Sequence, residues 1–181
     1  MKNIDRKEAI IKKIDKIYKK GYLPSRTKEN YENLHTEMVN CFGHACFNLS
    51  NESLKKLYPC KDELFSFFRD FGSCGVRNYF NEVKDRITSV GLKIERSSIT
   101  ENIKNNQWKI AYFVMNDAFS GTDIHFMIQG NDGKWTSKVG KKPDLEVYDE
   151  LPEVYHEKYD LMGVYIITNP YIKIKDEEME M

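Results

Sequence analysis

The sequence lacks an excess of charge of either sign, a long apolar run and an apolar leader. Its 28 Lys and Arg residues balance its 28 Asp and Glu residues, so the net charge is zero. This balance argues against nucleic acid as a partner, because such binding relies on an excess of basic side chains that neutralise phosphates. No apolar run approaches the ~18 residues that a membrane-spanning helix needs, so we expect no membrane span.

Cysteine is scarce and is confined to the first half of the chain. The charged residues 1–8 are not followed by an apolar segment, which predicts that there is no secretory signal. We therefore expect a cytoplasmic protein, or one that is delivered to a target cell by another route. Reduced thiols are the default in that setting. The four cysteines are Cys41, Cys46, Cys60 and Cys74.

Zinc binding is an alternative use of these cysteines. Cys41 and His44 are three residues apart, and Cys46, Cys60 or Cys74 would complete a ligand set. Zinc sites in proteins usually pair two closely spaced ligand motifs, and this chain has no second motif. The sequence therefore predicts no metal site and no cofactor.

The length of 181 residues fits one domain with a sizeable core. We expect a single domain over 1–181, in which 1–37 is an N-terminal helical extension and 175–181 is a disordered acidic tail. Isoleucines at helical spacing predict a helix over 4–20 that ends at Gly21. Two further helices are predicted over 61–71 and 76–90.

The second half of the chain predicts strands. Residues 108–115 and 161–168 are nearly all apolar, as in strands that are covered on both faces. Residues 123–129 alternate between apolar and polar, and the turn 130–133 leads to a return strand that begins at Trp135. Residues 141–160 are charged and predict a loop. Because helices come first and strands follow, the fold class is α+β with an antiparallel sheet.

Cys41 stands where a helix is predicted to begin. Asn40 is a good N-cap residue, and Cys41 follows it at the first helical position. The free N–H groups and the positive end of a helix lower the pKa of a thiol there, and they also bind an oxyanion. Phe42, Ala45, Cys46 and Leu49 form the predicted buried stripe of this helix, so Cys46 is expected to be a core residue.

His125 lies on the predicted strand 123–129, on the opposite face from Ile124 and Phe126. A cysteine at a helix start and a histidine on a later strand suit nucleophilic catalysis. The thiolate attacks a carbonyl, the imidazole takes and returns the proton, and a third polar group orients the ring. His44 has other interpretations, as a surface or capping group or as a local base one helical turn beyond Cys41.

The segment Asn40-Cys41-Phe42-Gly43 resembles the start of the nucleophile helix in papain-like cysteine hydrolases of the NlpC type. In that family the base histidine opens a strand, and a third polar residue, commonly histidine, lies about twelve positions further on. In this chain His125 matches the base and Ser137 stands at the third position. The resemblance extends over roughly residues 38–168 and implies a papain-like fold.

Ser137 departs from the family pattern, because a serine hydroxyl accepts a ring N–H but carries no charge. Asp123 lies two residues before His125 on the same face of the strand and is a second candidate for that role. The segments 123–126 and 133–135 also resemble a group of uncharacterised papain-like bacterial and phage proteins.

The sequence supports two hypotheses about function. The first is a cysteine hydrolase (peptidase, amidase or deamidase) that uses Cys41 as the nucleophile and His125 as the general base on a peptide or protein substrate. The second is a papain-like fold that has lost catalysis and acts as a protein-binding or inhibitory module. Serine at position 137, where the family commonly has histidine, favours the second hypothesis.

Overall fold

A computed structural model describes residues 3–25, 39–69, 76–117, 121–140, 142 and 144–174. These residues form an α+β structure in which helices precede an antiparallel sheet, which confirms the predicted class. The helical elements are α1 (Asn3–Lys19), a π-helix (Gly43–Phe47), α2 (Asn51–Leu57), a 3₁₀-helix (Tyr58–Cys60), α3 (Lys61–Arg69) and α4 (Val76–Ser89).

All the strand pairs described are antiparallel, and the order across the sheet is β1-β7-β2-β3-β4-β5, with β6 paired to β7. The last strand in the chain therefore lies between the first two. The strands are β1 (Lys93–Ser97), β2 (Gln107–Asp117), β3 (Gly121–Gln129), β4 (Trp135–Lys138), β5 (Leu145–Tyr148), β6 (Val154–Tyr155) and β7 (Tyr159–Thr168).

The helices cover one face of the sheet. Ile10, Ile14 and Tyr18 on α1 are buried in the same apolar core as Phe126 on β3. The α1 helix is thus part of the main core, although the domain boundaries stay a prediction. The predicted end at Gly21 is confirmed, with φ +83° and its N–H donating to the Tyr18 carbonyl.

The other face of the sheet has a smaller core. Phe113 and Met127 pack there with Trp135 and Tyr155. Because successive residues of a strand point to opposite faces, β2 contributes side chains to both cores, which explains its almost continuous apolar sequence. The predicted burial of residues 108–115 on both faces is confirmed for 108–114.

One prediction for local structure was wrong, and one helix was not predicted. The charged segment 141–160 contains β5 and β6, because the exposed edges of β4 and β7 supply backbone partners that local composition does not report. The sequence also failed to predict α2, whose Ser50 cap accepts a hydrogen bond from the Ser53 N–H.

Several predicted features lie outside the described residues. They are the acidic tail 175–181, most of the N-terminal extension beyond Gly21, the last two residues of the predicted helix 61–71, and Cys74. Within the described ranges, no helix combines the length and the apolar character needed to cross a membrane.

Candidate active site

A cavity of about 440 Å³ opens beside β3, beyond the end of its pairing with β4. The pairing covers Met127–Gln129 on β3, so the residues that precede Met127 no longer have a strand beside them on that side. The cavity is lined by Cys41, Asp123, His125, Tyr155, His156 and Tyr159, among others. The two principal residues predicted from sequence therefore border one space.

Asn40 caps the helical residues 41–47, here called the Cys41 helix. Its side-chain Oδ1 accepts a hydrogen bond from the Gly43 N–H at 3.0 Å, and its carbonyl accepts one from the His44 N–H at 2.9 Å. The predicted cap is thus confirmed, although most of the helix is a π-helix. The predicted burial of Phe42, Ala45, Cys46 and Leu49 is confirmed, but it is not confined to one stripe, since all of 42–49 is buried.

The Cys41 thiol points towards the backbone of β3. Its Sγ lies 4.0 Å from the Ile124 carbonyl oxygen. Burial raises the pKa of the thiol to about 12, and the nearby Asp123 carboxylate adds to the rise. The lowered pKa expected from the sequence is therefore wrong for the resting site. Hydrogen bonds from backbone N–H groups, including that of Phe126, act in the expected direction but are outweighed by burial.

His125 is held on the opposite face of β3 from the helices. Its Nε2 lies 2.6 Å from the Ser137 Oγ, the partner that the family spacing implies. The ring stacks on Tyr155, with 4.3 Å between centroids and 8° between planes. Burial lowers the pKa of His125 to about 4, although the Glu146 carboxylate opposes that shift. The imidazole is therefore neutral at pH 7.

Cys41 and His125, both among the described residues, border the cavity but are not hydrogen-bonded to each other. The thiol is directed to Ile124 and the ring Nε2 to Ser137. The pleat of the sheet explains this, since Ile124 faces the helices and His125 faces away from them. The cavity beside β3, which both residues line, is the space that they share.

The Asp123 carboxylate is hydrogen-bonded to groups other than the His125 ring. Its Oδ2 accepts a hydrogen bond from the Tyr159 hydroxyl at 2.9 Å, and its Oδ1 accepts one from the Ile124 N–H at 2.8 Å. Of the two candidates for the third role, Ser137 is the one that contacts His125.

Four site residues were missed in the sequence because they lie in the segment expected to be a loop: Glu146, Tyr155, His156 and Tyr159. The Tyr155 hydroxyl donates to the Glu146 Oε2 at 2.7 Å and lies 3.3 Å from the Ser137 Oγ. His156 stacks on Tyr155 and reaches the Glu146 Oε1 at 2.9 Å. The only local signal was the density of tyrosine, histidine and glutamate in this segment, which does not specify partners.

The prediction of His44 as a surface or capping group was wrong. The side chain is fully buried, and its Nε2 lies 3.1 Å from the Thr136 Oγ1 on β4. Burial, together with the nearby Lys138 and His125, lowers the pKa of His44 to about 3. Thr136 and Ser137 are consecutive and so point to opposite faces, which keeps His44 and His125 on different sides of the sheet.

Lys138 follows Ser137 on β4 and is also buried. Its Nζ donates to the Gly140 carbonyl at 2.7 Å. Burial and the nearby Arg69 lower the pKa of Lys138 to about 8, while Cys41 acts in the opposite direction. The cation and the thiol are therefore within electrostatic reach of each other on the helix side of the sheet.

In the described ranges, no group of three or more His, Cys, Asp and Glu side chains is arranged to hold a metal ion. Cys41, Cys46 and Cys60 are free thiols. Comparisons of the chain with protein-family models, with curated proteins and with solved structures gave no match.

Proposed function

We propose that this protein is a cysteine hydrolase with a papain-like fold that acts on an amide bond in a peptide or protein substrate. The observation that carries the proposal is that Cys41 borders the same cavity as His125, whose ring is bound through Nε2 to Ser137. With Nε2 occupied by that hydrogen bond, Nδ1 remains as the basic nitrogen.

The resting pair is a neutral thiol and a neutral imidazole, as the two pKa shifts require. Proton transfer then accompanies attack: His125 removes the thiol proton while the Cys41 sulfur adds to the substrate carbonyl. The imidazolium returns the proton to the leaving amine, which leaves a thioester at Cys41. Water activated by His125 hydrolyses the thioester and restores the free thiol.

A rotation of the Cys41 side chain is part of this proposal. The thiol must turn from the Ile124 carbonyl towards His125 when a substrate enters the cavity. Catalytic hydrogen bonds commonly tighten only in the complex with substrate. The N–H groups of Cys41 and Phe42, which already act on the thiol, are the candidates to bind the oxyanion.

The alternative is a binding or inhibitory module that has lost catalysis. The observation that favours it is the Cys41 thiol, which is neutral and is hydrogen-bonded to a backbone carbonyl rather than to His125. A module of this kind needs the cavity as a surface but does not need the thiol to react.

An activated ester, p-nitrophenyl acetate, tests the proposal without knowledge of the natural substrate. We expect the wild type to release nitrophenol and to carry an acetyl group on Cys41, detected by peptide mass spectrometry. Cys41→Ala should abolish both, and His125→Ala should slow acylation by roughly 100-fold or more.

Cys46→Ala is the matched control, because Cys46 is fully buried on the same helix. It should keep the acylation rate with a modest loss of stability. Acylation that persists in Cys41→Ala, or that is equally slow in wild type and His125→Ala, would favour the module instead.

A further inference from the structure

We propose that Glu146 is a positioning residue for His125, and that it supplies through Tyr155 and Ser137 the negative charge that a serine at the third position lacks. The consequence for catalysis rests on the proposed function. The orientation of the imidazole is independent of the proposed function, and it can be measured separately.

The direction of the hydrogen bonds is set by their last member. An ionised carboxylate only accepts, so the Tyr155 hydroxyl must donate to the Glu146 Oε2 at 2.7 Å. The Tyr155 oxygen then accepts from the Ser137 hydroxyl at 3.3 Å. The Ser137 oxygen is left to accept from the Nε2–H of His125 at 2.6 Å. The chain thus fixes the Nε2–H tautomer and leaves the Nδ1 lone pair as the base.

Glu146 is held as an anion by further donors. The Tyr148 hydroxyl donates to its Oε2 at 3.0 Å, and the His156 ring lies 2.9 Å from its Oε1. Burial by itself would raise the pKa of the Glu146 carboxyl, but the hydrogen bonds from Tyr155 and Tyr148 and the nearby His156 lower it overall. The carboxylate is therefore charged at neutral pH.

The hydrogen-bonded chain from Glu146 through Tyr155 and Ser137 to His125 is here called the relay. The stacking of the rings gives the relay a fixed geometry. Tyr155 lies between two imidazoles, with 4.3 Å to the His125 centroid and 3.9 Å to the His156 centroid. His156 and the next residue, Glu157, have left-handed backbone angles, with φ +49° and +57°. Such angles are uncommon outside glycine and require support from the surrounding structure. The tight turn between β6 and β7 therefore places His156 against Tyr155.

Nuclear magnetic resonance of ¹⁵N-labelled histidine reads the tautomer of His125 directly. In the wild type we expect His125 as the Nε2–H tautomer. Ser137→Ala and Tyr155→Phe should each raise the Nδ1–H fraction. Glu146→Gln should lower the pH at which the ring protonates, because it removes the anion that raises the pKa of His125. Each of these three substitutions removes or replaces a single polar atom, so a fold defect in one variant would leave the other two to test the proposal.

Acylation by p-nitrophenyl acetate measures the effect on chemistry. Tyr155→Phe and Glu146→Gln should lower kcat on the order of tenfold with KM nearly unchanged, and the acid limb of the pH profile should move to lower pH in Glu146→Gln. Tyr165→Phe is the matched control. It makes the same Tyr→Phe change on β7 but in the core on the helix side of the sheet, away from Glu146 and Tyr155, so kcat and the tautomer should stay as in wild type.

The outcomes separate the relay from the hydrolase. An unchanged tautomer and an unchanged protonation pH in all three relay variants would overturn the relay, even if Cys41 is acylated normally. A second outcome would support the relay and refute the cysteine hydrolase. In that outcome the relay variants lose the Nε2–H tautomer, but Cys41→Ala still releases nitrophenol. Equal loss of kcat in Tyr165→Phe would also overturn the relay, since a general loss of packing would then explain the effect.

Discussion

Burial determines the protonation of the principal residues of the site. Cys41 and His125 are neutral at pH 7, since removal from water disfavours the charged form of each group. A preformed thiolate–imidazolium pair would place two charges in poorly hydrated surroundings. The residues thus suit an attack in which the proton moves only when the substrate carbonyl arrives.

The two buried histidines predict a loss of stability in mild acid. The pKa values of His125 and His44 fall from 6.5 in the unfolded chain to about 4 and about 3 in the fold. The unfolded chain therefore binds more protons below pH 6.5, so the stabilising contribution is present above that pH and declines as pH falls towards 4. Between pH 7.5 and 5 we expect each histidine to remove about 2 kcal/mol from the free energy of unfolding.

Urea unfolding of wild type and His125→Gln at these two pH values measures the contribution. The variant should lose about 2 kcal/mol less than wild type between them, whatever its stability at pH 7.5. The same loss in both proteins would show that His125 protonates as readily in the fold as in the unfolded chain.

At the scale of the element, the Cys41 helix is shaped by what packs against it. It is pressed between β3 and the phenylalanines of α3, with Phe42 in contact with both Phe68 and Phe126. Gly43 lies directly against Phe68, so the absence of a side chain lets the helix approach α3. The backbone of Asn48 then turns left-handed, with φ +42°, and its N–H closes the π-helix on the Gly43 carbonyl.

Gly43→Ala should therefore destabilise the protein, although alanine favours helices. A Cβ at this position would lie 3.1 Å from one carbon of the Phe68 ring and 3.2 Å from two others, and Phe68 is buried among other rings. We expect a net loss of about 1–2 kcal/mol, the cost of overpacking less the gain in helix propensity.

A double-mutant cycle with Phe68→Leu identifies the cause of that loss. If crowding by the ring is responsible, Gly43→Ala should cost less in the Phe68→Leu background, as measured by urea unfolding of all four proteins. An equal cost in both backgrounds would mean that the strain lies in the helix backbone.

For the molecule as a whole, Asn169 joins the first helix to the last strand. It is fully buried, and its Nδ2 donates to the carbonyls of Tyr18 at 3.1 Å and Tyr22 at 2.8 Å. Its Oδ1 accepts from the Tyr171 N–H at 3.0 Å. These contacts satisfy backbone groups at the end of α1, so segments some 150 residues apart in sequence depend on one amide.

Asn169→Asp should destabilise the protein by about 3 kcal/mol, because it keeps an acceptor for Tyr171 but presents oxygen to two carbonyls. Asn169→Ala should cost about 2 kcal/mol for the groups left unpaired. Gln107→Ala removes a half-buried hydrogen bond to the Thr168 hydroxyl and an exposed one from the Lys104 N–H at the same end of β7, and it should cost about 1 kcal/mol. Thermal unfolding of the three variants provides the ranking, and an Asn169→Asp variant as stable as Gln107→Ala would contradict it.

What the sequence determined by itself is local. Alternation of side chains along 123–129 is a property of the extended backbone, so it placed His125 on the opposite face from Ile124 and Phe126. The Asn40 cap and the turn at Gly133, with φ +82°, depend only on the chemistry of a few neighbouring residues. These features were predictable because the interactions that cause them act within one turn or one hairpin.

Only the tertiary structure decided which distant segments meet and how charged the site is. The position of β7 between β1 and β2 depends on pairing across the completed sheet, and the same folding brings Glu146 and Tyr155 to His125. The raised pKa of Cys41 reverses the expectation from its helix position, because desolvation is the sum over every neighbour that excludes water. A helix start acts on a thiol from one direction, whereas burial acts from all sides, and no short stretch of sequence contains that information.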